Sequence, residues 1–116
     1  MAEVKPIIIT DNETQDEYTL EFNRESVRFA ESRGFNIDDL PKYPMTKIPE
    51  IFFYAFRMHH KTISREKTDK ILFEKLGGIP DGMLERLAEL YAAPFEALAI
   101  LDEGEEGKNS KVTIQM

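Results

Sequence analysis

The sequence contains neither cysteine nor tryptophan. Without thiols there is no disulfide framework, no thiolate metal site and no cysteine nucleophile, which fits a reducing cytoplasmic compartment. Long apolar runs are missing too, and Met1 leads into Ala-Glu-Val-Lys with no basic-then-apolar prelude. Neither a secretory leader nor a spanning helix is therefore expected. Histidine is confined to His59 and His60, and adjacent helical residues point about 100° apart, so the two rings are poorly placed to share a metal. The HExxH, GxSxG, P-loop and GxGxxG patterns are all absent. Asp38/Asp39 and Glu105/Glu106 pair carboxylates in loop-like stretches, with no apolar pocket to raise a pKa for acid catalysis. The expectation is a protein that is not an enzyme and uses no catalytic residue, cofactor or metal.

Positive charge is in short supply. Fifteen Lys and Arg face 22 Asp and Glu, a net charge of −7 that repels nucleic acid and anionic membranes at long range. One basic cluster runs against this balance, Arg57, His59, His60, Lys61, Arg65 and Lys67, but Glu66 and Asp69 interrupt it and no aromatic residues interleave for base stacking. Neither nucleic acid nor membrane is an expected partner.

What the chain does have is a core. Its 116 residues are 41% hydrophobic, enough for one domain without disulfides or metal. Thr46 to His60 is the most apolar and aromatic stretch. Ile48, Ile51, Phe52, Ala55, Phe56 and His59 follow helical spacing, while Phe53, Tyr54 and Met58 carry apolar surface round the cylinder, as in a central helix. Thr46 is placed to cap it, with Pro49 in its first turn.

Upstream, the Ile7-Ile8-Ile9 run and the alternating Tyr18-Thr-Leu-Glu-Phe22, separated by polar Asp11 to Asp16, predict an antiparallel hairpin. Asn23 is a suitable N-cap for a helix over Arg24 to Arg33, stapled by Phe22 and Val27 and stopped by Gly34, with Phe35 folding back. An irregular connection follows, in which Ile37, Leu40 and Tyr43 are expected to tuck against the core. Ser64 is placed to cap a third helix ending at Leu76 before Gly77-Gly78, with Thr68, Ile71, Leu72 and Leu76 buried. A fourth helix is expected from Pro80-Asp81, its stripe Leu84, Leu87, Tyr91, Pro94, Leu98 and Leu101 kinked or divided at Pro94. His59 reads as a core or boundary residue and His60 as an exposed helix end.

The expected fold is α+β, an N-terminal β-hairpin packed on about four α-helices. Residues 1–101 form the single globular domain. Residues 102–116 are an acidic linker and a short tail, Lys111 to Met116, whose alternation suits a third strand of the sheet, a strand added to a partner, or disorder.

Tyr18-Thr-Leu-Glu-Phe-Asn-Arg-Glu-Ser-Val27, Glu31-Ser-Arg-Gly-Phe35, Pro44-Met-Thr-Lys-Ile-Pro49 and Ala55-Phe-Arg-Met-His-His60 together resemble a family of short phage and prophage proteins, catalogued as a domain of unknown function. The resemblance covers roughly residues 17 to 100, and its motifs are structural, so no catalytic or ligand residue carries over. Its members look like tail assembly chaperones, which implies a cytoplasmic protein of the bacterial host cell that keeps the hydrophobic helical tape measure protein soluble. The alternative it leaves open is a structural virion component, a head-tail connector or tail-completion ring subunit. Thr46 to His60 and Met83 to Leu101 hold more large apolar groups than two further helices and a hairpin are expected to cover. Phe53, Tyr54, Met58, Tyr91 and Phe95 are accordingly the candidate partner contacts. A homo-oligomer would be compatible with the same surface.

Overall fold

The computed structural model describes residues 4–98 and 115–116 of the chain. Strand β1 (Ile7–Asp11) pairs antiparallel with β2 (Asp16–Leu20), Ile7 opposite Leu20 and Ile9 opposite Tyr18. Asp11 closes the loop between them: its carbonyl accepts from the Gln15 N–H at 2.7 Å and its Oδ1 from the Glu13 N–H at 2.9 Å. An aspartate that bonds the backbone two residues on is what makes this polar stretch a turn. Tyr18 and Leu20 are buried, with Phe22 beyond the strand, and Ile7 and Ile9 pack beside them, whereas Ile8 faces away and is 53% exposed. Among the described residues the sheet has two strands. The linker from residue 102, the boundary at 101 and the strand pattern of 111–114 fall outside the described residues, and Gln115 and Met116 are exposed.

Helix α1 (Arg24–Ser32) begins as its sequence demands. Asn23 Oδ1 accepts from the Ser26 N–H at 2.8 Å while Ser26 Oγ accepts from the Asn23 N–H at 2.9 Å, a reciprocal cap that satisfies two donors at once. At the other end Gly34, at φ +87°, reverses the chain, and its N–H and that of Phe35 donate to Glu31 O and Ala30 O. This closure sends the buried Phe35 ring back over the helix bundle. In the connection that follows, a 3-10 turn covers Ile37–Asp39; Leu40 is buried and Ile37 half-buried, but Tyr43, expected inside, is 60% exposed.

Helix α2 (Pro44–Phe56) is the centre, with Ile51, Phe52, Ala55 and Phe56 fully buried. Its ends differ from expectation. Pro44, not a Thr46-capped turn, starts it, because a proline at the first position has its φ preset and loses no hydrogen bond. Pro49 thereby lies in the helix interior, where its missing N–H costs one bond of the ladder. The helix stops at Phe56 rather than His60. A turn stabilised by His60 N–H donating to Phe56 O at 2.8 Å then swings His60 back towards the hairpin.

That swing closes the outer edge of β2. Thr19 N–H donates to His60 Nε2 at 3.0 Å and Glu21 N–H to Ala55 O at 2.9 Å, so unpaired strand donors meet a ring nitrogen and a last-turn helix carbonyl. The two histidines therefore exchange their expected roles. His60 is half-buried and edge-on to Tyr18 at 5.4 Å, while His59 is exposed and joined to Glu21 Oε1 at 2.9 Å.

Helix α3 (Arg65–Lys70), capped by Ser64, continues through a wider π-helical turn over Ile71–Leu76 to Gly77, which is left-handed at φ +72°. Thr68, Ile71 and Leu72 are buried as the stripe requires. Leu76 is 36% exposed, because the wider turn rotates it out of the 3.6-residue register. The same turn brings Lys75 onto Asp11 across the hairpin loop. Helix α4 (Met83–Ala92) starts later than Pro80-Asp81, because Gly82 takes up a left-handed conformation at φ +82° that interrupts the helical path. Pro94 divides it as expected, and the chain continues as a 3-10 segment, Ala93–Leu98. Leu87, Leu90 and Tyr91 are buried, but Leu98 is 65% exposed rather than part of the stripe. The architecture is α+β, a hairpin against α1 to α4.

Candidate partner-binding site

Of the five residues expected to meet a partner, two belong to the core. Tyr54 is 7% and Tyr91 3% exposed, and both lie against Phe35, at 5.5 and 5.4 Å between ring centres. Phe22 meets Tyr91 at 5.0 Å and Phe29 meets Tyr54 at 6.0 Å, so a run of edge-on rings fills the space between α1, α2 and α4. Burial pushes the Tyr91 hydroxyl up to about 12 and raises that of Tyr54 in the same direction. The expected apolar surplus on the central helix is thus largely absorbed. Phe35, delivered by the turn at Gly34, supplies cover that a count of helices leaves out.

Phe53, Met58 and Phe95 stay at the surface, though not on one face. Phe53 is half-buried against the core. Met58 is half-buried in an open cleft of about 500 Å³ between α1 and the end of α2, lined also by Ser26, Arg28, Phe29, Arg57 and Lys61. Phe95 is 41% exposed and, with Leu98, Pro94 and Val27, walls a shallow groove of about 100 Å³ on the other side of α1. Arg28 borders both.

The basic cluster of the sequence splits. Arg65 is paired with Asp69 at 2.9 Å, Lys67 sits 6.0 Å from the Tyr18 ring centre, and burial followed by the neighbouring His59 lowers the His60 pKa. Only Arg57 and Lys61 reach the cleft, where they join residues of α1 that the linear pattern did not single out. The Arg57 guanidinium lies 3.8 Å from the centre of the Phe29 ring and that of Arg33 4.8 Å. Arg57 also donates to Lys61 O at 3.4 Å. A signal for this was present in α1. Arg24 and Arg28 are like charges at i, i+4, an unfavourable spacing unless something else uses them.

A third cavity, of about 420 Å³, lies between the hairpin loop and α3. There Lys75 holds the Asp11 carboxyl below its usual range, and Asp11 raises Lys75 in return. This ion pair ties the loop to the π-helical turn. Among the described residues no three His, Asp or Glu side chains gather as metal ligands, and no helix is long and apolar enough to cross a membrane.

Residues 1–116 match the family described as a domain of unknown function, DUF5055. The chain belongs to this family. No curated protein and no solved structure matches it. In this DUF5055 member the Phe95 groove and the Phe29–Met58 cleft lie on either side of α1.

Proposed function

We propose that this protein is a non-enzymatic tail assembly chaperone of a phage or prophage, which holds a hydrophobic helical segment of the tape measure protein and keeps it soluble in the host cytoplasm until tail tube assembles round it. The single observation that supports this reading is the groove beside α1, where Phe95 and Leu98 stand 41% and 65% exposed against Val27 and Pro94. The groove is small, about 100 Å³, with Arg24, Arg28 and Glu31 along its α1 wall, and an amphipathic helix docks on such a surface through apolar residues spaced i, i+3 and i+4. Grouped exposed apolar side chains mark an interface more often than a free face. The net charge of −7 opposes self-aggregation of a protein that carries such a patch.

Co-expression with the tape measure protein tests this. Soluble tape measure should rise and co-purify with the wild-type chain, and Phe95→Lys should abolish both while leaving thermal unfolding unchanged. Purified particles should lack the chaperone by mass spectrometry. A tape measure equally soluble alone, together with this chain found in mature particles, would make it a ring component instead.

A further inference from the structure

Four of the six arginines have no carboxylate within ion-pair distance among the described residues: Arg24, Arg28, Arg33 and Arg57. Both others, Arg65 and Arg86, pair with neighbours on their own helices. In a chain of net charge −7 with 22 acidic residues, unpaired arginine is not forced by any shortage of partners. The four are also not scattered. Three lie on or just after α1 and the fourth directly after α2, and Arg33 and Arg57 both approach the Phe29 ring. The stacking draws two like charges towards one aromatic side chain and leaves guanidinium N–H groups for a third party.

Two of the four, Arg28 and Arg57, line the cleft of about 500 Å³ together with Lys61, and Met58 contributes apolar surface there. Glu25 also reaches the cleft, without an ion pair to any of the three cations. We infer that this cleft binds carboxylate side chains of a partner protein, so that the segment the chaperone holds carries Asp or Glu beside its apolar residues. The inference rests on reading α1 as a partner surface and adds the partner's chemistry. A planar guanidinium matches a carboxylate in two parallel N–H···O bonds, and Arg57, already fixed against Phe29, loses little freedom on binding. Met58 fits the apolar neighbours that a protein segment brings and a bare polyanion does not. Nucleic acid suits the cleft less well, because the Phe29 ring is already taken by guanidinium and the body charge repels a long polyanion.

The probe is an acetylated, amidated peptide alternating Glu and Leu in helical spacing, titrated into isotope-labelled protein and followed by NMR. Shifts should appear at the side-chain Nε–Hε groups of Arg28 and Arg57 and at Phe29, Met58 and Lys61. Arg57→Gln and Arg28→Gln should each weaken binding about tenfold, the loss expected when one charge-assisted bond is removed, with thermal unfolding unchanged. Arg57→Lys should recover part of it. The same peptide with Gln for Glu should not bind. Equal affinity for that peptide, equal or tighter binding of an oligothymidylate, or insensitivity to both arginine variants would overturn the inference. Because Phe95 lies in the other groove, Phe95→Lys should leave this titration intact. Loss of tape measure binding in Phe95→Lys with no acidic-peptide binding in wild type would therefore sink the inference while leaving the chaperone reading standing.

Discussion

Phe56 offers the sharpest test of how the domain is held together. Its ring is fully buried and stands edge-on to Phe52 at 5.1 Å and to Tyr18 at 5.5 Å, joining the central helix to the hairpin. Phe56→Ala removes the transfer energy of the ring and leaves a cavity, a loss of about 3 to 5 kcal/mol. Each of the two aromatic contacts adds roughly 0.5 to 1.5 kcal/mol beyond buried area, which places the expected effect near the upper end of that range. A domain of this size has a total stability of about 5 to 15 kcal/mol, so Phe56→Ala should be folded but marginal. Phe56→Asp, which adds an unpaired buried charge, should not fold. Urea denaturation followed by circular dichroism reads this directly, with Phe56→Leu as the graded control losing about 1 kcal/mol. A loss below about 1 kcal/mol for Phe56→Ala would refute the placement of this ring at the junction of hairpin and helices.

Three other outcomes follow from the same geometry. His60 is neutral when folded, accepting from Thr19 at Nε2, and its pKa lies below the ordinary 6.5. Between the folded and ordinary values the unfolded chain holds more protons, so stability should be full above about pH 6.5 and fall as pH drops through the folded value; His60→Gln should flatten that limb of a pH-dependent melting series. Asn23→Ala breaks the reciprocal cap with Ser26 and should cost about 1 kcal/mol in chemical denaturation, with amide exchange fastest at Ser26. Tyr54→Lys should destabilise by several kcal/mol, as expected for a charge placed in the core, whereas Phe95→Lys should leave the melting temperature unchanged, reversing any assignment of Tyr54 to the surface.

Much of the fold was legible in the sequence because it is written in local chemistry. The hairpin, the caps at Asn23 and Ser64, the stops at Gly34 and Gly77 and the break at Pro94 each depend on a few adjacent residues. The start of α2 was misread because Thr46 and Pro44 both announce a helix, and the proline won. The exchange of His59 and His60 was invisible locally, since it depends on a strand edge 41 residues away that lacks a partner. For the same reason two of the candidate contacts lie in the core: Tyr54 and Tyr91 are covered by Phe35, a single ring carried in by a turn, while Phe95 and Met58 remain accessible. The cleft was missed because its cations come from α1 and from the turn after α2, and no linear pattern joins Arg28 to Arg57.

The central claim is that the surface flanking α1 takes a hydrophobic tape measure segment. A photoreactive phenylalanine analogue placed at Phe95 during co-expression tests it most directly, with the same analogue at Phe73, which is 58% exposed on the π-helical turn, as the comparison. The account predicts a crosslink to the tape measure protein from position 95 and none from position 73. Crosslinking from Phe73 alone, or none from either position in cells that make both proteins, would contradict it.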